Sequence, residues 1–203
     1  MSTSLRLALS SHPTEVSREF VRDHLWLTLV MLDGDGVRPV TANDLEVMDL
    51  DAVSAWKLAE ALLDRTSRST DLRPVDTVDG LSFVVSGDGL ASTRMTRLVH
   101  TLAPLPLGGI VAAVPSLDQL LVVTLDSARA IDALQVLAAA LGHAVERAQE
   151  PLSDQLFWYD GRRWVPIAVV HATEDITVLP PPDFVRAMNH LAAMDLVSVA
   201  GEA

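Results

Sequence analysis

Leu156-Phe157-Trp158-Tyr159-Asp160-Gly161-Arg162-Arg163-Trp164-Val165 is the stretch that decides the fold. Two strand-forming runs flank Asp-Gly, the strongest short hairpin signal a sequence carries. A two-residue turn at Asp160-Gly161 predicts the pairs Tyr159–Arg162, Trp158–Arg163, Phe157–Trp164 and Leu156–Val165. Phe157 and Trp164 then share one face, and Trp158 and Arg163 share the other. With Phe157 and Trp164 inward, Trp158 and Arg163 stand outward, where guanidinium stacks on indole. Ile167 to His171 extends the second strand, and Pro166 marks an edge position or a break.

Working upstream, Ser127 to about Ala148 has a helical stripe of Ile131, Leu134, Leu137, Ala138, Leu141 and Val145. Before it, Ile110–Val114 and Leu120–Leu125 read as compact buried strands around a Pro115-Ser116-Leu117-Asp118 corner. Leu90 to Leu102 reads as a helix ended by Pro104 and Pro106. Leu72–Val78 and Leu81–Val85 form a second hairpin around Asp79-Gly80. Asp51 to Arg65 is helical, with Val53, Trp56, Ala59, Leu63 and, less centrally, Leu58 near one stripe. Leu25 to Leu32 is a strand stopped by Asp33-Gly34-Asp35-Gly36, and Val37–Val40 returns. Thr41 and Asn43 are candidate helix caps. Downstream of Pro180-Pro181-Pro182, Asp183 to Val199 has helical apolar spacing.

These elements predict an α/β (α+β) fold. A single domain over residues 1–172 carries a mixed or mainly antiparallel sheet flanked by helices. A C-terminal helical appendage covers residues 173–203.

The 203-residue chain has a formal net charge of −12 and no cysteine. The zero cysteine count excludes disulfides, thiolate catalysis and cysteine-ligated metals, and a reducing cytoplasm is the expected compartment. The arginines are dispersed and Lys57 is the single lysine. Phosphate backbones and anionic lipid are therefore disfavoured. Leu5 to Leu9 is too short for a signal-peptide core. The uncharged run Leu98–Leu117 is broken by three prolines, so no membrane span is expected.

Three stretches share an order and spacing. They are Val37 to Leu45 leading into the Asp51 helix, Ile110 to Leu121, and Pro151 to Phe157 followed by Asp160-Gly161-Arg162-Arg163-Trp164. Together they resemble the YtpQ-like family of uncharacterised bacterial proteins over residues 20–168. The resemblance implies a bacterial α/β domain and assigns no activity to any residue. The chain after about His171 lies outside the pattern.

No chemical motif survives inspection. The six histidines never stand at i, i+3 or i, i+4, and HExxH is absent, so no metal site is expected. Asp33-Gly-Asp-Gly36 lacks the distal glutamate of a calcium loop and reads as a turn. Ser86-Gly87-Asp88-Gly89 could offer amides to an anion, but it matches no phosphate loop and reads as a turn too. Ser116 lies near Asp118 without a histidine placed by sequence to activate it. Glu150 with Asp154, and Glu174 beside Asp175, read as acidic surface.

Two contact surfaces are expected instead. One is Trp158 with Arg163 on the hairpin, beside the simpler reading that the hairpin only closes the core. The other is the C-terminal helix, with Phe184, Met188 and Leu191, either folded onto its own sheet or laid in a groove of another subunit. The expected function is a non-catalytic cytoplasmic protein-binding module without cofactor: an adaptor, an assembly component or an inhibitor of a basic partner, with self-association as a further expectation. The alternative is an enzyme or small-molecule-binding protein with a dispersed site.

Overall fold

The computed structural model describes residues 4–33, 36–67, 71–171 and 176–201. The fold is α/β, with antiparallel sheets flanked by helices. Every strand pairing is antiparallel, and the strands divide between two sheets rather than one.

The first sheet holds Ser4–Ser10 (β1), Ser17–Val21 (β2), Leu25–Asp33 (β3) and Gly36–Pro39 (β4). Its long strand β3 pairs with the other three. The first two strands are additions to the sequence reading, since β1 alternates only weakly and β2 is largely polar. Helices Ala42–Val47 (α1) and Ala52–Thr66 (α2) follow. Thr41 caps α1, and Asp44 returns the bond to the Thr41 amide, closing a capping box. Asn43 lies inside the helix. The α2 stripe is Ala55, Trp56, Ala59 and Leu63, packed on Leu5, Leu7, Leu29 and Met31. Val53 and Leu58, expected on or near that stripe, are exposed.

The second sheet has the order β11-β10-β9-β7-β8-β6-β5. Its strands are Leu72–Pro74 (β5), Leu81–Val84 (β6), Ile110–Ala113 (β7), Leu121–Thr124 (β8), Leu156–Tyr159 (β9), Trp164–His171 (β10) and Ile176–Leu179 (β11). The central run Ile110-Val-Ala-Ala is buried at every position, because both faces of the sheet are covered. Ile110, Ala112, Val122 and Phe157 face the first sheet and the segment 91–101. Val111, Val123, Leu156 and Trp158 face the helices Ala130–Arg147 (α4) and Pro182–Gly201 (α5).

The segment expected as one helix over Leu90–Leu102 is a 3₁₀ helix, Ala91–Arg97, continued by one α-turn, Leu98–Thr101 (α3). Ala91 to Met95 are all buried, so the segment lacks the polar face of a surface helix.

The hairpin register is corrected by two residues. Trp164 pairs with Tyr159, Val165 with Trp158 and Pro166 with Phe157, leaving a four-residue loop at Asp160–Arg163. The shift is even, so Phe157 and Trp164 stay on one face, but Trp158 no longer opposes Arg163. Pro166 is locally at an edge as expected, since β11 pairs with β10 only from Ala168 onward.

Helix α5 folds onto its own sheet. Phe184, Met188 and Leu191 are buried in the same core as α4, and Asp195 accepts the Ala128 amide at 2.9 Å just ahead of α4. Among the described residues no helix is long and apolar enough to cross a membrane.

Candidate functional site

The hairpin loop is built by Asp160. Its carboxylate accepts the backbone amides of Arg162 and Arg163, each at 2.8 Å, and Gly161 supplies the positive φ of 93°. Asp160 is thereby spent on backbone. The Arg162 and Arg163 side chains are exposed and make no ion pair with any described residue. Behind them, Tyr159 and Trp164 lie with ring centroids 5.3 Å apart, tilted at 55° and half-buried.

The turn between β2 and β3 supplies the facing wall. Glu19 accepts the Asp23 amide at 2.9 Å, and Asp23 takes a φ of 60°. Arg22 lies 3.7 Å from Asp23 in an exposed pair. His24 stands edge-on to Phe157, with centroids 6.1 Å apart. Segment α3 closes a third side with Val99 and His100.

Together these walls line an open cleft of about 830 Å³. Its rim gathers Arg22, Arg162, Arg163, His24 and His100 against two carboxylates, Glu19 and Asp23. Phe20, Val99, Tyr159, Trp164 and Pro166 form its apolar part. The local charge is thus opposite in sign to that of the chain, even with both histidines neutral.

Of the five contact residues expected from sequence, Arg163 alone lines this cleft. Trp158 does not stand outward: it is 4% exposed, donates its indole N–H to the Gly108 carbonyl at 2.8 Å, and meets Phe184 edge-on at 5.3 Å. Phe184, Met188 and Leu191 are core residues rather than surface. The physical reason is common to all four. The sheet needs a cover on this face, and α5 supplies it. The convergence of Arg22, His24 and His100 on the hairpin was not legible, because these residues lie some 60 to 140 positions from the loop they meet.

The other candidate sites are closed or incomplete. A cavity of about 670 Å³ brings Ser116, Asp118 and His143 together, which spacing could not show. However, Ser116 donates its hydroxyl to Asp118 at 2.7 Å, and His143 lies beside Glu146 at 4.0 Å. A nucleophile bonded to its base, as acyl transfer needs, is not formed. In the Ser86–Gly89 loop, Asp88 accepts the Leu90 amide and pairs with Arg94. The loop's own carboxylate holds the place an anion would take. Among the described residues no three histidines or carboxylates are grouped to hold a metal. Gly34 and Asp35 of the Asp33–Gly36 turn, and Glu174 and Asp175, lie outside the described residues.

Comparison with family models, curated proteins and solved structures finds no match to this chain.

Proposed function

We propose that this chain is a non-catalytic binding protein that takes a small anionic ligand in the cleft between the Asp160–Arg163 loop, the β2–β3 turn and α3. The observation that carries the reading is the pair of guanidiniums, Arg162 and Arg163, without an ion-pair partner among the described residues and lining the same cleft as Tyr159 and Trp164. Guanidinium forks bind carboxylate and phosphate oxygens bidentately, and an open cleft of this volume has room for a small ligand.

Size favours a small ligand over an acidic protein or a polynucleotide. At physiological salt, charges are screened over about 8 Å. A compact anion in the cleft feels the nearby arginines, whereas a long polyanion runs over a surface belonging to a chain of net charge −12.

The resemblance over residues 20–168 supports placing the chain with YtpQ-like proteins. The zero cysteine count supports a cytoplasmic location.

Isothermal titration of inorganic pyrophosphate into the wild type and the Arg162→Gln/Arg163→Gln variant tests the proposal. Binding that weakens with salt and drops about tenfold or more in the variant is expected. Equal binding by both proteins, or none by the wild type, would sink it.

A second reading keeps the protein-partner expectation. Leu196 and Val197 on α5 are 74% and 73% exposed, with Met194 beside them at 41%. Exposed apolar groups on one helix favour a protein contact there. Light scattering that finds a monomer, together with unchanged behaviour of Leu196→Glu, would count against self-association through this helix.

A further inference from the structure

We infer that the ligand of this cleft is a nucleoside monophosphate: a planar heteroaromatic ring joined through a hydroxylated linker to one phosphate. The inference rests on the anion-binding reading above and deepens it.

Three features of the cleft select this class. The first is charge. Arg22 shares its charge with Asp23 in an exposed pair at 3.7 Å, while Arg162 and Arg163 have no ion-pair partner among the described residues. A phosphate monoester carries close to two negative charges at neutral pH, so the pair matches it, whereas a lone carboxylate would leave one cation over. Both arginines sit on one tight loop whose backbone is fixed by Asp160, so their forks start from a set position.

The second feature is the aromatic wall. Tyr159 and Trp164 are half-buried, and Phe20, Val99 and Pro166 extend the apolar surface beside them. Inorganic anions and aliphatic phosphates make no use of such a wall. A flat ring stacks on it, and aromatic stacking of nucleobases needs no particular base.

The third feature is the pair of carboxylates. Glu19 and Asp23 face the cleft from the β2–β3 turn. They would repel an anion close to them, so the phosphate belongs at the hairpin loop. Facing a sugar hydroxyl or an exocyclic amine, the same carboxylates become hydrogen-bond acceptors. The cleft therefore has a cationic end, a stacking wall and an acceptor side, and its volume of about 830 Å³ lies within the range of small-ligand sites.

The test is calorimetric titration of the full chain with AMP and GMP, with adenosine, inorganic phosphate and a glutamate-rich peptide as comparators. Nuclear magnetic resonance of the indole N–H groups follows the site directly. AMP or GMP should bind about tenfold or more tightly than either adenosine or inorganic phosphate, and should shift the Trp164 signal. Arg162→Gln/Arg163→Gln should lose about ten- to hundredfold of nucleotide affinity while adenosine binding is unchanged. Trp164→Leu should weaken AMP and adenosine alike, and Trp164→Phe should restore most of the loss. The arginine variant lies on an exposed loop, so its circular dichroism should match the wild type. If inorganic phosphate binds as well as AMP, the nucleotide inference falls and small-anion binding stands; if the peptide binds and neither AMP nor inorganic phosphate does, both fall. If no anion binds, both fall.

Discussion

Trp158 and Gly108 are joined by a buried hydrogen bond, from the indole N–H to the backbone carbonyl at 2.8 Å. They are 50 residues apart, and the bond ties the middle of β9 to the chain entering β7. A buried tryptophan must place its N–H, and here the partner is a carbonyl that would otherwise be unpaired. Trp158→Phe keeps an aromatic ring against Phe184 but removes the donor. It should cost about 1–3 kcal/mol, since the Gly108 carbonyl is left unsatisfied. Urea unfolding measures this, and an unchanged midpoint would show that the bond contributes nothing net.

The neighbouring Gly109 makes a sharper prediction. Its φ is 88°, and a Cβ there would lie 2.1 Å from the Tyr159 carbonyl and 3.0 Å from the Trp158 indole nitrogen. Gly109→Ala should destabilise by about 3 kcal/mol or more, through backbone strain together with a clash that only main-chain movement relieves. Gly161 is the control. Its φ is 93°, yet nothing lies within 4 Å of its added Cβ. Gly161→Ala should cost only the strain, about 1–2 kcal/mol. Thermal unfolding of the two variants compares them, and equal losses would refute the role of close approach.

The legible part of the fold lies where local signals are strong. Asp160-Gly161 marks a hairpin, the apolar run at Ile110 marks a strand buried on both faces, and the 3.6-residue period marks α2 and α4. Register was not legible in the same way. Asp160 captures the two amides after Gly161, which converts an expected two-residue turn into a four-residue loop. That small change moves Arg163 off the strand and into the cleft. The phase of each helix was also only approximate. Leu137, Ala138 and Leu141 lie on the buried stripe of α4 as expected, but Ile131 is 47% exposed and Ala130 and Ala133 are buried in the first turns instead. Periodicity favours large apolar residues, but close packing at the start of this helix selects small ones. The cleft itself was invisible, because its walls come from β2–β3, α3 and β9–β10, and no spacing rule links them.

Asp88 and Arg94 give a pH dependence. They pair at 2.9 Å, with side chains 19% and 7% exposed, and Arg94 also donates to the Leu90 carbonyl. Burial opposes the charge on Asp88, but hydrogen bonds from Ser86 and Arg94 outweigh it, and the carboxyl is held below its usual range. A pKa depressed in the folded state gives stability that is full above the unfolded value of about 3.9 and is lost as pH falls through the folded value. Asp88→Asn leaves Arg94 without its anion and should cost on the order of 2 kcal/mol at neutral pH, below the cost of breaking a fully buried pair because Asp88 keeps some solvent. The gap between wild type and variant should close below about pH 4. Urea midpoints across pH follow it, and a gap that stays constant would contradict the linkage.

Helix α5 gives the last prediction, since its two faces should respond in opposite ways. Leu191 is 2% exposed, and its side chain packs so close to Gly108 that a Cβ there would meet it at 2.6 Å. Leu196, five residues on, is 74% exposed. If α5 covers the sheet as an integral layer, Leu191→Ala removes a core side chain and leaves a cavity, at a cost of about 2–5 kcal/mol. Leu196→Ala removes surface and should stay within about 0.5 kcal/mol. Both changes keep good helix formers in place, so intrinsic helix propensity does not confuse the comparison. Chemical denaturation should show one cooperative transition in each protein, displaced for Leu191→Ala and not for Leu196→Ala. If Leu191→Ala leaves the main transition unmoved, α5 contributes little to the stability of the sheet it covers.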